Sequence, residues 1–118
     1  MLSYQNDPAL KSLFVVHVEA HRQQDRIRQG TYGTEVSGAW RGCAVACSLR
    51  SLDEIEGVAV PEMGCRQYGD HAALARRLGI PLTLAYLEDR IFECLPVELA
   101  LEGPARFARA MSAFSANL

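Results

Sequence analysis

The feature that most constrains the fold is a long amphipathic segment near the amino terminus that contains no helix breaker. Asp7 is a favoured N-cap residue, and Pro8 suits the first helical position, where its missing N–H costs nothing. No glycine or further proline occurs before Gly30, which is a typical C-terminal stop. Apolar side chains recur at helical spacing along this segment. The pattern therefore predicts a helix over residues 8–29 that packs against a core.

Further segments carry similar signals, and together they predict an all-α, compact single-domain bundle of about five helices. A glycine-rich loop follows the first helix, with a short extended stretch at 34–36. The segment 43–50 is brief enough to be a strand instead, and Ser51–Glu54 resembles a capping box for another helical turn or two. Residues 58–69 are predicted as loop. The predicted helices lie at 8–29, 43–50, 70–79, 81–95 and 104–115, all within one domain spanning 1–118.

The apolar positions of these helices predict one hydrophobic core. On the 81–95 helix, the clearest stripe is formed by Leu84, Leu87, Ile91 and Leu95. Replacing Leu87 or Ile91 by alanine is therefore expected to cost about 2–5 kcal/mol. The full predicted core is Leu13, Phe14, Val16, Leu74, Leu78, Leu84, Leu87, Ile91, Leu95, Phe107 and Met111.

Composition excludes several classes of protein. The chain of 118 residues has a net charge of −2 and a pI near 5.9, which does not suit a surface that neutralises phosphates or lies on an anionic membrane. The amino terminus lacks a basic segment followed by a long apolar one, so a cytoplasmic protein is expected. Its four cysteines are then expected to be reduced thiols, and two disulfides remain the alternative in an oxidising compartment.

Three candidate metal ligands form a ladder along the first predicted helix. His17, His21 and Asp25 stand at i, i+4 and i+8, a spacing that can direct two imidazoles and a carboxylate towards one divalent metal. The alternative is that both histidines are partly buried core residues with ordinary hydrogen-bond partners. Asp89 and Glu93 form another i, i+4 pair that can complete a ligand set, although such a pair is typical of a solvated face.

The candidate catalytic residues are two cysteines and one glutamate. If Cys43 opens a helix, the positive end of the helix dipole lowers the pKa of its thiol, and Cys47 one turn later can act as a second thiol. The C-x3-C spacing matches neither thioredoxin-like sites nor zinc ribbons, so a structural role for both is the alternative. Glu88 borders the apolar stripe of the 81–95 helix and is the acid expected to be partly buried.

Residues 73–88 resemble a helix-turn-helix, with two predicted helices joined by a Gly-Ile-Pro turn. The second of these helices carries Glu88, Asp89 and Glu93, which repel phosphates, and only Arg90 attracts them. Two helices joined in this way are also a common corner in proteins that bind no DNA. Together with the acidic pI, the charge pattern argues against nucleic acid as a partner.

The chain also resembles a group of uncharacterised bacterial proteins through two segments. One is Gly-Cys-Ala-Val-Ala-Cys at residues 42–47, and the other runs from Gly-Ile-Pro at 79–81 through Leu-Glu-Asp and Ile-Phe-Glu to the Leu-Pro at 95–96. The resemblance spans most of the chain and implies one co-folded domain. It implies no activity.

Three functional classes follow, led by a small accessory or interaction protein without chemistry of its own. Its partner would be another protein or a second copy of the chain. The alternatives are a metal- or thiol-dependent helical protein and a helix-turn-helix regulator. If His17 and His21 face inward, at least one is expected to contact Asp25, Glu88 or the Cys43–Cys47 segment. Such a contact would enclose a small polar pocket, with Cys43 near its mouth.

Overall fold

The computed structural model describes residues 3–60 and 66–116, and within them the chain is mostly helical. The prediction of an all-α fold is too strict, because the glycine-rich loop forms a two-stranded antiparallel ribbon. The predicted loop over 58–69 has no helix or strand in its described residues, and 61–65 lie outside them. The elements are α1 (Pro8–Gln23), β1 (Thr34–Val36), β2 (Ala39–Arg41), α2 (Ala44–Glu56), α3 (His71–Leu78), α4 (Leu82–Cys94), α5 (Val97–Ala100) and α6 (Gly103–Ala116).

Helix α2 lies at the centre of the molecule, with α1, α3, α4 and α6 packed around it. Ten consecutive residues, 44–53, are buried, and many are alanine, serine or cysteine, whose small side chains let neighbouring helices approach closely. The helix predicted at 43–50 is confirmed, but it continues to Glu56 and ends at Gly57, whose φ of 76° is left-handed. Ser51 is therefore no N-cap; its hydroxyl donates to the Cys47 carbonyl at 2.8 Å inside the helix.

Helix α1 begins at the predicted cap, where the Asp7 carboxylate accepts the Ala9 N–H at 3.0 Å. It ends at Gln23, six residues before the predicted end. Asp25 takes a left-handed conformation with φ 58°, and the Arg26 N–H closes the helix by donating to the His21 carbonyl at 2.9 Å. The chain then turns back, and the Arg28 N–H donates to the Gly42 carbonyl at 2.8 Å.

The β1–β2 hairpin turns through Ser37 and Gly38, both with positive φ, as a two-residue type I′ turn requires. Its second strand carries Trp40, which is fully buried and donates from Nε1 to the Arg66 carbonyl at 2.9 Å. Gly42 follows, and a Cβ there would lie 2.7 Å from both the Trp40 ring and the Ala46 side chain. Only glycine fits this junction between the hairpin and α2.

Helices α3 and α4 match their predicted positions because their end signals are local. Asp70 caps α3 by accepting the Ala73 N–H at 3.0 Å, and Gly79 ends it in a left-handed conformation. The buried face of α4, however, consists of Ala85, Glu88 and Phe92. The predicted core stripe is correspondingly displaced, and Leu87 and Ile91 lie half exposed.

The predicted core is therefore confirmed in part. Phe14, Leu74, Leu78 and Met111 are buried, and Leu84, Leu95 and Phe107 are partly buried against the core. Leu13 and Val16 are exposed, because α1 turns Phe14, Val18 and His21 inward instead. On α4 the true buried face lies about one residue, or 100°, round from the predicted one, whereas on α1 the displacement is smaller, because the predicted Phe14 is buried. Among the described residues, no helix is long and apolar enough to cross a membrane.

Candidate functional site

The two histidines of α1 do converge, but on a residue that the sequence did not indicate. His17 Nδ1 and His21 Nε2 lie 3.2 Å and 3.1 Å from the same oxygen of Glu54, at the carboxyl end of α2. The second Glu54 oxygen lies 3.6 Å from Nε of the buried Arg50. The Arg50 guanidinium therefore balances the charge of this carboxylate.

Around this cluster the packing is that of a protein interior. The Arg50 guanidinium lies 4.6 Å over the Trp40 ring, and the His21 ring packs near the same tryptophan. Ser51 Oγ lies 3.4 Å from His21 Nδ1, so serine, histidine and glutamate follow one another as in a catalytic triad. Yet Ser51 is fully buried and already donates to the Cys47 carbonyl. We therefore interpret the His17–His21–Glu54–Arg50 cluster as a structural network.

Asp25 and Glu88 lie apart from the histidine cluster. Asp25 is exposed on the turn after α1, with its carboxylate 3.4 Å from Arg41. Glu88 faces the core from α4 and is 5% exposed, which confirms its predicted burial. Burial, and secondly the charge of Asp89, raises the pKa of Glu88 to about 8. Neither acid lies in the pocket described next.

The loop–α4 pocket opens beside Cys43, between the glycine-rich loop and α4. Cys43 is the residue before α2, and its N–H donates to the Thr31 carbonyl at 2.8 Å, which fixes the thiol against the loop. The loop is held in turn by residues 66–68, where the Tyr68 N–H donates to the Tyr32 carbonyl at 2.8 Å. The pocket has a volume of about 350 Å³ and is lined by Gly30, Thr31, Tyr32, Cys43, Gln67, Asp89 and Glu93.

Three donor groups meet in this pocket. Cys43 Sγ and one carboxylate oxygen each from Asp89 and Glu93 all lie within 4.8 Å of one another. The Gly30 N–H donates to Glu93 Oε2 at 2.8 Å, and His71 Nε2 lies 2.9 Å from Asp89 Oδ2. Asp89 Oδ1 is buried and has no hydrogen-bond partner among the described residues. The pocket thus contains a polar atom whose partner remains to be supplied.

Burial and mutual repulsion disfavour negative charge here. Burial raises the pKa of the Cys43 thiol to about 12, although backbone N–H groups at the start of α2 act in the opposite direction. Burial also raises the pKa of Glu93, with the Gly30 N–H lowering it and Asp89 raising it further. The pKa of Tyr32 is raised by burial, then by Asp89 and Cys43. A cation in the pocket would stabilise the charged forms of these groups and so lower all of these pKa values.

Cys47 does not join Cys43 in the pocket. Its thiol faces the Gly42 carbonyl at 3.3 Å and is fully buried within α2, and burial raises its pKa. Cys43, Cys47 and Cys94 are free thiols. The sequence did indicate the Asp89/Glu93 pair through its i, i+4 spacing, but it paired these acids with the histidines. Their actual partner, Cys43, becomes visible only when α4 packs beside the loop.

The predicted helix-turn-helix corner exists as α3 and α4, but the exposed side of α4 is apolar and acidic rather than basic. The α4 stripe, meaning Leu84, Leu87, Ile91 and Leu95, runs along this helix with two of its side chains about half exposed. A surface of this kind is poorly suited to binding the negatively charged phosphate backbone of DNA.

Comparison of the whole chain with known proteins identifies no relative: no family model, no curated protein and no solved structure matches it.

Proposed function

We propose that the protein is a small metal-binding protein that holds a divalent cation in the loop–α4 pocket. The observation that carries this proposal is the buried Asp89 Oδ1, which faces no hydrogen-bond donor among the described residues. A second carboxylate, from Glu93, lies one helical turn away in the same pocket. Two carboxylates that approach this closely repel each other. A divalent cation between them removes this repulsion and is attracted to both, which favours its binding.

The contacts within the pocket also favour a cation. The Gly30 N–H and the His71 ring each hold one oxygen of a carboxylate and thereby orient the other. Hydrogen bonds of this kind are typical of the groups that support metal ligands. Among the described residues, no Lys or Arg side chain lines the pocket, so none of them puts a fixed positive charge in the place of the ion.

Thermal unfolding of the chelator-treated full chain tests the proposal. Mg²⁺, Ca²⁺, Mn²⁺, Co²⁺ and Zn²⁺ are each added alone, and we expect at least one to raise the midpoint. An ion that binds only the folded state stabilises it by about 2.7 kcal/mol at a hundred times its dissociation constant. A midpoint that no divalent ion changes would contradict the proposal.

The matched variants are Glu93→Gln and Glu98→Gln. The amide oxygen of Glu93→Gln can still accept the Gly30 N–H, so the loop keeps its contact while the pocket loses a charge. We expect this variant to bind the ion at least about tenfold more weakly, since even the loss of an outer partner commonly costs that much. Glu98 is exposed on α5, and its variant makes the same charge change away from the pocket. Equal weakening by both variants would place the ion elsewhere.

A second candidate function is self-association through the α4 stripe. An amphipathic stripe that the fold leaves half exposed is typical of a protein–protein contact. Its positions 84, 87 and 91 are spaced as in the seam of a helix pair, and Cys94 continues this spacing. Such a seam can pair with itself across a two-fold axis, so the partner that we propose is a second copy of the chain. The mass of the protein in solution tests this candidate.

A further inference from the structure

We infer that the Cys43 thiolate is a ligand of the cation in the loop–α4 pocket, which makes the pocket selective for zinc-class transition metals over Mg²⁺ and Ca²⁺. This inference rests on the proposed function, because it names the ligand set and the class of ion for the same site. The geometry that carries it is the convergence of three side chains from two separate elements, the residue before α2 and one face of α4.

The three donor atoms are close to the arrangement that one ion requires. They lie within 4.8 Å of one another. In a tetrahedral zinc site, a sulfur and an oxygen ligand lie about 3.5 Å apart, given the usual zinc–ligand distances. The remaining contraction of about 1 Å is within the reach of side-chain rotation, because Asp89 and Glu93 stand one turn apart on the same face of α4.

The burial of the sulfur at this cavity is the second observation. Cys43 is 1% exposed and lines the pocket, yet it forms no side-chain cap at the start of α2. The nearby Asp89 Oδ1 is also buried, and it forms no hydrogen bond among the described residues. A buried thiol and an unpartnered carboxylate oxygen beside the same cavity indicate a ligand between them.

The donor set decides which ions fit. Mg²⁺ and Ca²⁺ prefer sites made of oxygen atoms, whereas a thiolate favours Zn²⁺ and related transition ions. On binding, the S–H bond of Cys43 breaks, the sulfur electron pair forms the bond to the metal, and the proton leaves to solvent. The N-terminus of α2, a helix of 13 residues, stabilises the resulting thiolate. Three protein ligands leave a fourth position open towards the pocket.

His71 positions Asp89 for this role. Its Nε2 holds Oδ2 at 2.9 Å, and its ring stacks on Tyr86 with centroids 4.4 Å apart. The Tyr32 ring lies edge-on to the imidazole, with centroids 6.0 Å apart. An imidazole fixed in this way fixes the carboxylate, and Oδ1 is the oxygen left for the metal.

Cobalt spectroscopy on the full chain tests the inference. Co²⁺ replaces Zn²⁺ in such sites, and a cobalt–thiolate bond adds a charge-transfer absorption in the near ultraviolet that oxygen ligands do not produce. We expect this band in the wild-type protein and its loss in Cys43→Ser, together with at least about tenfold weaker Zn²⁺ binding. The matched control is Cys94→Ser, an exposed cysteine at the end of α4, which should keep both the band and the affinity.

The outcomes separate the inference from the proposed function. If Co²⁺ binds the wild-type protein without this band, the inference is overturned while a cation site made of carboxylates stands. If no divalent ion binds, both are overturned. Loss of the band in Cys94→Ser, with retention in Cys43→Ser, also overturns the inference. Should Cys43→Ser fail to fold, cadmium NMR of the wild-type protein decides, because spin coupling from the bound ion to the Cys43 β-protons supports a sulfur bond and its absence excludes one.

Discussion

Glu54 shows how one carboxylate can partner three side chains, one of them a buried arginine. The carboxylate contacts His17 and His21 of α1, and it also faces the guanidinium of Arg50 on its own helix. Burial alone would raise the pKa of Glu54, but His21, His17 and Arg50 outweigh it and lower the pKa to about 2. The ionised form is therefore part of the folded state, and the contact between α1 and α2 depends on it.

The shifted pKa makes stability depend on pH in the acid range. The pKa of Glu54 falls from its ordinary value of 4.5 to about 2 on folding. A depressed pKa stabilises the fold above pH 4.5, and this contribution is lost as the pH falls from 4.5 to 2. We expect Glu54→Gln to lower the free energy of unfolding by about 1–3 kcal/mol at pH 7, after allowance for its partial exposure, and by much less near pH 2. Urea unfolding at several pH values measures the difference.

The control is Glu56→Gln on the same helix. Glu56 is exposed and pairs at the surface with Arg77, so its loss should cost less than about 1 kcal/mol at either pH. If Glu54→Gln and Glu56→Gln give the same pH profile, the buried cluster does not hold the charge that its geometry indicates.

At the scale of elements, helix existence could be predicted from the sequence, while ends and faces could be predicted only where the signal is local. The cap at Asp70 and the stop at Gly79 act on neighbouring backbone groups, so α3 was placed correctly. The end of α1 depends on the left-handed conformation of Asp25. Aspartate tolerates this conformation, but its presence in a sequence does not predict it. Helices α1 and α4 are apolar on more than one side, so periodicity alone could not identify the buried face.

Alanine substitutions on α4 distinguish the two faces. Phe92 is 2% exposed, and Phe92→Ala should cost about 3–5 kcal/mol, because a large cavity replaces the ring. Ile91 is 50% exposed, and Ile91→Ala should cost less than about 1 kcal/mol in protein dilute enough to be monomeric. Equilibrium unfolding in urea measures both. If Ile91→Ala lowers the free energy of unfolding more than Phe92→Ala does, the buried face of α4 is the one predicted from periodicity.

At the scale of the whole molecule, the sequence indicated the components of the site but not their combination. Cys43 and the Asp89/Glu93 pair each carried a recognisable pattern. What brings them together is the packing of α4 beside the glycine-rich loop, which no local spacing encodes. The same holds for Glu54, which lies on α2 opposite the histidines of α1. The tertiary fold determines which residues distant in sequence come into contact. The composition of the site therefore could not be predicted from local sequence patterns.

The α4 stripe leads to a prediction about the assembled molecule. Leu87 and Ile91 leave about half of their surface in water, although their spacing is that of a buried seam. Pairing with the same stripe of a second copy would remove this surface from water, and each residue would meet its partner reciprocally across the two-fold axis. We therefore expect a concentration-dependent dimer by light scattering coupled to size-exclusion chromatography.

Ile91→Asp should shift this equilibrium to the monomer, because a buried carboxylate at the seam would lack a partner. Val16→Asp is the matched control: Val16 is 64% exposed on α1, a helix that packs on α2 and α6, so the same change there should leave the dimer intact. Far-UV circular dichroism verifies that both variants are folded.

Because Cys94 continues the seam, mild oxidation should also join two wild-type chains through this exposed thiol, and Cys94→Ser should prevent it. A wild-type chain that stays monomeric at every concentration, or a dimer that Val16→Asp dissociates equally, would show that α4 is not the contact.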